Sequence, residues 1–420
     1  MRAWLRPGWH YMAGDWMADS SIAAGASGHP DARISVTATS LTESVIREMT
    51  RLAQEHDAIN LAQGFPDFPA PEPVKRAAVA AIETDLNQYP ITWGQPSIRQ
   101  ALADAYLRWY GITVDPEREV CVTCGATEAM IAAMIGCLDP GQEVIVFEPF
   151  YENYGADAII AGAKPRYVTL REPGWTFDEA ELTAAFSNQT RAVVINTPNN
   201  PTGKVFSLAE LTAIARLCQK YGALAITDEI YEHITYNGAR HIPLVTIPGM
   251  EDRTITISAL SKTYSVTGWR VGWAIAPPDL TAAIRRVHDF LTVGAPTPLQ
   301  EAGATALGLP AAYYQQLTSS YQERRDLMLT ILADVGFRPI TPDGAYYIMT
   351  DTSPLGLDDD AAAAIALVRR AQVAAVPGSS FYSRPDLGRS KLRFSFSKKL
   401  ATLEEAGRRL AEIASSPRPG

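Results

Sequence analysis

The segment Ser258-Ala-Leu-Ser-Lys262-Thr-Tyr-Ser-Val-Thr-Gly268-Trp-Arg270 follows the apolar run Thr254-Ile-Thr-Ile257 and precedes Val271-Gly-Trp-Ala-Ile275. Both runs read as strands. A lysine therefore sits just past a strand, with an arginine eight residues on. Desolvation and nearby positive charge at the mouth of a sheet lower an amine pKa, leaving a neutral nucleophile suited to an aldehyde. The arginine suits a phosphate dianion. Aldehyde and phosphate on one small molecule point to pyridoxal 5'-phosphate, which requires further groups elsewhere in the chain.

Those groups are present. A carboxylate must keep the ring nitrogen protonated so that the ring can act as an electron sink. Asp228 suits this, because it ends the apolar strand Ala223-Leu-Ala-Ile-Thr227 and open α/β sheets bind ligands at the carboxyl ends of their strands. Tyr231 and Asn200 supply hydrogen-bond donors for the 3'-oxygen; Asn200 lies in Asn199-Asn-Pro-Thr-Gly203, after the strand Ala192-Val-Val-Ile195. The turn Gly125-Ala126-Thr127-Glu128 connects the strand Glu119-Val-Cys-Val-Thr123 to the helical run Ala129-Met-Ile-Ala-Ala-Met134. Its N–H groups and the Thr127 hydroxyl offer a phosphate the N-terminus of a helix.

The chain around these motifs alternates strand and helix. Strands are expected at 143–147, 165–170, 191–196, 223–227, 254–258 and 271–276, with helical stretches such as 207–221 between them. Such alternation predicts an α/β fold: a large domain over residues 72–297 whose mainly parallel, seven-stranded-type sheet is sandwiched by helices. Helical periodicity over Leu41–Leu52, one long helix over Pro298–Val335, and strands at 345–350 and 391–395 predict a small α+β domain from residues 36–71 and 298–414. Residues 1–35 read as a poorly ordered extension, with Met12 and Met17 as alternative starts, and residues 415–420 as a disordered tail.

Composition sets further bounds. With 420 residues, 47% of them hydrophobic, the chain can bury two domains' worth of core. No apolar run approaches a membrane span, and a net charge of -9 argues against a nucleic-acid partner. Four cysteines in so long a chain do not make a disulfide framework, which suggests a reducing cytoplasm. Cys121 and Cys124 form a C-x2-C, yet no second Cys or His pair accompanies them, so no metal is expected. His233 and His288 have no chemical partner in the sequence and read as structural, as do Trp93 and Tyr154, for which a place at the border of the substrate pocket is the alternative.

With these residues in view, the chain resembles the class I aminotransferases of the fold-type I pyridoxal-phosphate superfamily. Asn-Pro-Thr-Gly, Asp-Glu-Ile-Tyr and Ser-Lys-x5-Gly-x-Arg occur in that family's order, and the likeness covers about residues 40 to 412. The resemblance implies that Lys262 bonds the cofactor aldehyde, Asp228 partners the pyridinium, and Tyr231 and Asn200 hold the 3'-oxygen. It also implies that Arg270 and Thr127, with Gly125 and Ala126, hold the phosphate, that Tyr151 of Phe147-Glu-Pro-Phe-Tyr151 stacks on the ring, and that Arg393 clamps the substrate carboxylate. Within the family, Glu55-His-Asp-Ala-Ile-Asn-Leu-Ala-Gln-Gly-Phe-Pro-Asp-Phe-Pro69 and Asn87-Gln-Tyr89 are similar to the branch of kynurenine, glutamine and methionine aminotransferases. This implies that the Gly64 backbone meets the substrate carboxylate, and that Tyr89 reaches the partner's phosphate in a homodimer with shared active sites.

Three departures bear on substrate. Ala259 stands where the family often has a serine ligand, so either Ser258 or Ser261 compensates or the site has one ligand fewer. Val293-Gly294 is small where kynurenine enzymes place rings, and Ile46 stands where they often carry a tryptophan. The expected activity is amino transfer between a neutral or aromatic L-amino acid and a 2-oxo acid. Alternatives are a cysteine-S-conjugate β-lyase, which needs no oxo-acid acceptor, and an aspartate-type aminotransferase, which needs a distal cation. A non-catalytic regulator needs a DNA-binding domain that the first 40 residues do not supply.

Overall fold

The computed structural model describes residues 33–353, 356 and 359–414; residues 1–32 of the expected extension and the tail 415–420 lie outside the described residues. The chain divides into two compact units between Thr42 and Glu43. In the first, Ser35 caps the single helical turn Val36–Thr39. Residues 36–42, assigned above to the small domain, therefore fall in the first unit. All that follows concerns the second.

Its first helix runs Val45–Glu55 rather than 41–52, because the Ser44 side chain accepts the Arg47 N–H and so sets the N-terminus. Ile46, Met49 and Ala53 form its buried face. Next, β1 (Ile59–Asn60) pairs in parallel with Val373–Ala374 and so joins distant parts of the chain.

Seven strands then build one sheet: β2 (Val120–Thr123), β3 (Glu143–Glu148), β4 (Lys164–Thr169), β5 (Thr190–Asn196), β6 (Leu224–Asp228), β7 (Thr254–Ala259) and β8 (Gly272–Ile275). Their order is β2-β8-β7-β6-β5-β3-β4. Every pairing is parallel except the two made by β8, which runs antiparallel to β7 and β2. The mainly parallel α/β sheet expected from the alternation is therefore present. Helices cover both faces, and the two-residue side-chain period divides the strands accordingly. Ile145, Phe147, Val193 and Ile195 enter one core, while Val144, Val146, Ala192 and Val194 enter the other. Local signals delimit the helices. Leu208–Tyr221 starts in a capping box between Ser207 and Glu210 and stops at Gly222 in the left-handed region.

The long helix expected over 298–335 is two helices, Thr297–Leu307 and Ala311–Val335. Pro310 breaks it, since its ring disfavours helical backbone at the residue before and it has no N–H to donate. In the remainder, β9 (Arg338–Pro339), β10 (Tyr347–Asp351), β11 (Val373–Ala374), β12 (Val376–Pro377) and β13 (Lys391–Ser395) complete the strands. Four of them form an antiparallel sheet in the order β12-β13-β10-β9, and β11 is the partner of β1. β10 begins at Tyr347 rather than 345 because Ala345 adopts φ 55°, outside strand geometry.

Register positions the site. Asn196 pairs with Asp228, and Asp228 with Ile257, so β5 and β6 end level, β7 runs two residues further, and the loops after them emerge side by side. The loop after β5 turns at Gly203, with φ 72°, where an added Cβ would collide with Pro342 Cβ and lie 2.7 Å from the Gly344 carbonyl oxygen. Gly203→Ala should therefore destabilise the protein by about 2–4 kcal/mol through strain and overpacking. Chemical denaturation is the check: a loss below about 0.5 kcal/mol would show that this turn does not need glycine.

Candidate active site

A cavity of about 500 Å³ opens at the carboxyl ends of β5, β6 and β7. Gly64, Ala126, Thr127, Tyr151 and Asn200 line it, together with Asp228, Tyr231, Lys262, Arg270 and Arg393. Gly125 lies just behind, capping the helix Ala126–Cys137 at φ 81°, where an added Cβ would strike the Arg270 guanidinium. Tyr89 is elsewhere, 85% exposed and off the cavity wall.

Lys262 sits on the short helix Leu260–Thr263, which directly follows β7. Its amine donates to the Gly64 carbonyl at 3.3 Å. Burial pulls this amine below the ordinary lysine range; Tyr347 and Asp228 oppose the shift and Arg270 adds to it. Asp228 ends β6, where Tyr154 Oη donates to one carboxylate oxygen at 2.7 Å and the Ile230 N–H to the other at 3.2 Å. Burial pushes its carboxyl up against the pull of those donors. The Lys262 amine adds a further pull toward the charged carboxylate.

Arg393, on β13, is buried, and its guanidinium donates to Asn200 Oδ1 at 2.7 Å and to the Ala62 carbonyl at 2.5 Å. It lies 4.2 Å from the Tyr347 ring centre. Its Nε is buried with no acceptor among the described residues. Tyr231 Oη meets Tyr347 Oη at 3.0 Å, and burial keeps the Tyr231 phenol protonated. Arg270 adopts φ 55°, a strained backbone for a non-glycine residue. Its guanidinium donates to the Thr267 and Cys124 carbonyls beside the N-terminus of Ala126–Cys137.

These residues fit the group that the sequence implies. A helix N-terminus backed by a guanidinium suits a phosphate, an enclosed carboxylate suits a pyridinium, and a low-pKa amine suits an aldehyde. The two serines near Ala259 have different surroundings. Ser258 is buried and donates to Glu232 at 2.9 Å, whereas Ser261 lines the cavity.

Other residues of the cavity carry no sequence motif. Tyr154, read from the sequence as structural, lies on the helix Asn153–Ile160, lines the cavity and donates to Asp228. Asp157, one turn later, also lines the cavity, its carboxyl pushed up to about 7 by burial. Tyr347 and Arg47 line it too and carried no motif. His288 bonds Glu128 and the Thr92 carbonyl, and His233 packs against Trp109 and Tyr314, so both stand apart from the cavity. Cys121 is buried in β2 and Cys124 follows it; both thiols are free.

Residues 56–410 match the family model described as aminotransferase class I and II. The chain belongs to that family. A probable N-succinyldiaminopimelate aminotransferase of Mycobacterium tuberculosis is 41% identical over 384 residues, covering 89% of this chain and 97% of the relative. Human kynurenine–oxoglutarate transaminase 1 is 38% identical over 397 residues, covering 86% and 94%. Among solved structures, N-succinyldiaminopimelate aminotransferase from M. tuberculosis superposes on this aminotransferase with a TM-score of 0.88 at 40% identity, covering 90% of this chain and all of that one. YbdL of Escherichia coli, described as having a methionine aminotransferase function, gives a TM-score of 0.86 at 33% identity, covering 90% and 99%.

Tyr154→Phe removes the stronger of two donors to Asp228 while keeping the ring. A lost hydrogen bond to a charged group is worth about 1.5–3 kcal/mol, so kcat should fall about tenfold to a hundredfold. An unchanged kcat in steady-state assays would detach Tyr154 from the chemistry.

Proposed function

We propose that this aminotransferase uses pyridoxal 5'-phosphate to move an amino group between an L-amino acid with a neutral or aromatic side chain and a 2-oxo acid. The observation carrying this reading is the convergence of Lys262, Asp228 and Arg393 on one cavity from three separate strands or strand ends. When bound, the cofactor supplies an electron sink for negative charge at the substrate Cα. Asp228, with its two donors, holds positive charge at the ring nitrogen. Tyr231 and Asn200 hold the 3'-oxygen, Tyr151 stacks on the ring, and Gly125, Ala126, Thr127, Ser261 and Arg270 hold the phosphate.

Arg393 orients the substrate. By gripping the α-carboxylate, with help from the Gly64 backbone, it turns the Cα–H bond toward Lys262. The Lys262 amine, its basicity lowered by burial, then takes that proton and returns it as general base and acid. A neutral or aromatic side chain is supported by the wall residues Ile46, Met130, Tyr151 and Tyr347, and by a rim where Arg47 and Glu152 balance in charge. Free cysteines support a reducing, cytoplasmic setting.

The shared-site homodimer draws support from surface chemistry. Tyr89 at 85% exposure and Phe290 at 93% stand out of the body with Leu86, Ile91, Leu291 and Val293 also exposed, apolar surface of the kind that interfaces cover. A large part of 36–71 with 298–414, set against 72–297, is likewise proposed as the small and large domains.

Lys262→Ala should lower turnover about 10³-fold or more, with cofactor binding still measurable by absorbance. Transamination near the wild-type rate would end this reading. Mixing tests the shared site. Lys262→Ala and Tyr89→Ala homodimers should each be weak, while subunit exchange restores up to about half of wild-type activity per mixed dimer, by independent-site counting. Exchange demonstrated by mass without recovered activity would place Tyr89 outside the partner's site.

A further inference from the structure

Lys398 is a buried ammonium with no ion-pair partner among the described residues. It follows β13 by three residues and is 3% exposed. Its Nζ donates to the Phe65 carbonyl at 2.8 Å and lies 3.6 Å from the Phe65 ring centre. Burial pulls the amine down to about 8, opposed by the nearby Asp67 carboxylate. Asp67 is itself held by the Lys399 N–H at 2.6 Å and the Thr402 hydroxyl at 2.7 Å. From the other side, Arg324 Nε donates to the Lys398 carbonyl at 2.7 Å.

A buried cation costs stability unless something specific compensates, and an apolar chain of the same length would avoid that cost. What Lys398 touches indicates its use. One peptide before the Phe65 carbonyl, the Gly64 carbonyl accepts from Lys262 Nζ at 3.3 Å and from Tyr346 Oη at 2.9 Å. Gly64 has no room to move inward, because even a Cβ there would overlap Tyr347 Oη. The segment is anchored upstream as well, by Ser395 N–H to the Leu61 carbonyl at 2.7 Å and by Arg393 to the Ala62 carbonyl. Downstream, Lys398 is the anchor nearest Gly64, with Asp67 held two residues further on.

We propose that Lys398 is a positioning residue: its ammonium fixes the carbonyl and ring of Phe65, and so holds the Gly64 peptide against the Lys262 amine and the incoming substrate carboxylate. The inference rests on the aminotransferase reading of the cavity. It predicts separate effects on binding and on stability, because the same charge that orders the segment is unfavourable to bury. A residue that merely filled space would lose both together.

The test compares holoenzymes carrying Lys398→Met and Lys398→Gln with wild type. Binding of 2-oxoglutarate is followed by fluorescence, KM and kcat are measured for the best amino donor of the wild type, and thermal midpoints are recorded. Lys398→Met should weaken 2-oxoglutarate binding and raise KM by about tenfold or more, change kcat less, and leave the midpoint equal to or above wild type. Lys398→Gln, which keeps an N–H donor without the charge, should recover part of the binding. A Met variant with wild-type KM and binding overturns the inference, as does one whose midpoint falls in step with its affinity. Wild-type enzyme that neither binds 2-oxoglutarate nor turns over any amino acid overturns the aminotransferase reading itself, a separate result.

Discussion

The structure turns on a guanidinium buried among neutral groups. Arg393 comes from β13, and its two bonded partners come from the loop after β5 and from the segment after β1. Three regions far apart in sequence therefore meet at one charge. Aromatic faces of Tyr347 and Phe381 flank it at 4.2 and 4.9 Å and provide soft electrostatic support without neutralising it. A charge so enclosed strongly favours an arriving carboxylate, since little water competes for it. Its surroundings also set direction, because the Asn200 and Ala62 oxygens fix the plane of the guanidinium before anything binds.

The adjoining carboxyl ends of β5, β6 and β7 supply the second constraint. Asn196, Asp228 and the Lys262 helix sit next to one another because a parallel sheet in register brings its carboxyl ends to one edge. Beneath that edge, Glu232 accepts from Ser258 on β7 and from Tyr110 Oη at 2.5 Å, while Glu229 meets His241 at 2.7 Å. The first of these contacts ties the loop after β6 to β7, the second ties it to the helix Pro96–Tyr110, and the third closes the loop on itself. The floor under Asp228 and Lys262 is thus cross-linked by side chains that never reach the cavity.

What could be read from the sequence was local. Asp228, Asn200 and Lys262 each follow a short apolar strand, so their place at a strand's carboxyl end is written within ten residues of each. The sheet followed from the same alternation. Tyr154 escaped because a tyrosine on a helix packs well anywhere, and only the fold shows that its hydroxyl faces Asp228. Likewise, helical periodicity continues across Gly308 to Pro310, and the break there is a backbone property that the apolar pattern does not encode. Ser258 and Ser261 were equivalent by spacing; an extended backbone at one and a helical one at the other send their hydroxyls to different places. Lys398 carried no motif because its meaning lies in the Phe65 carbonyl, 333 residues away.

The antiparallel return of β8 has a consequence for the order in which the protein is made. Lys262 and Arg270 lie on the single connection between β7 and β8, so the amine and the guanidinium are brought together by a local reversal of the chain. The contact of Arg393 with Ala62 spans 331 residues. On a ribosome, all seven strands of the large sheet have been synthesised before β13 exists, and amino-terminal units tend to fold first. The two halves of the site therefore differ in contact order. A nascent chain ending before residue 391 would carry Lys262, Asp228 and Arg270 without Arg393, so this guanidinium, and the carboxylate grip proposed for it, is the last of the four to reach the cavity.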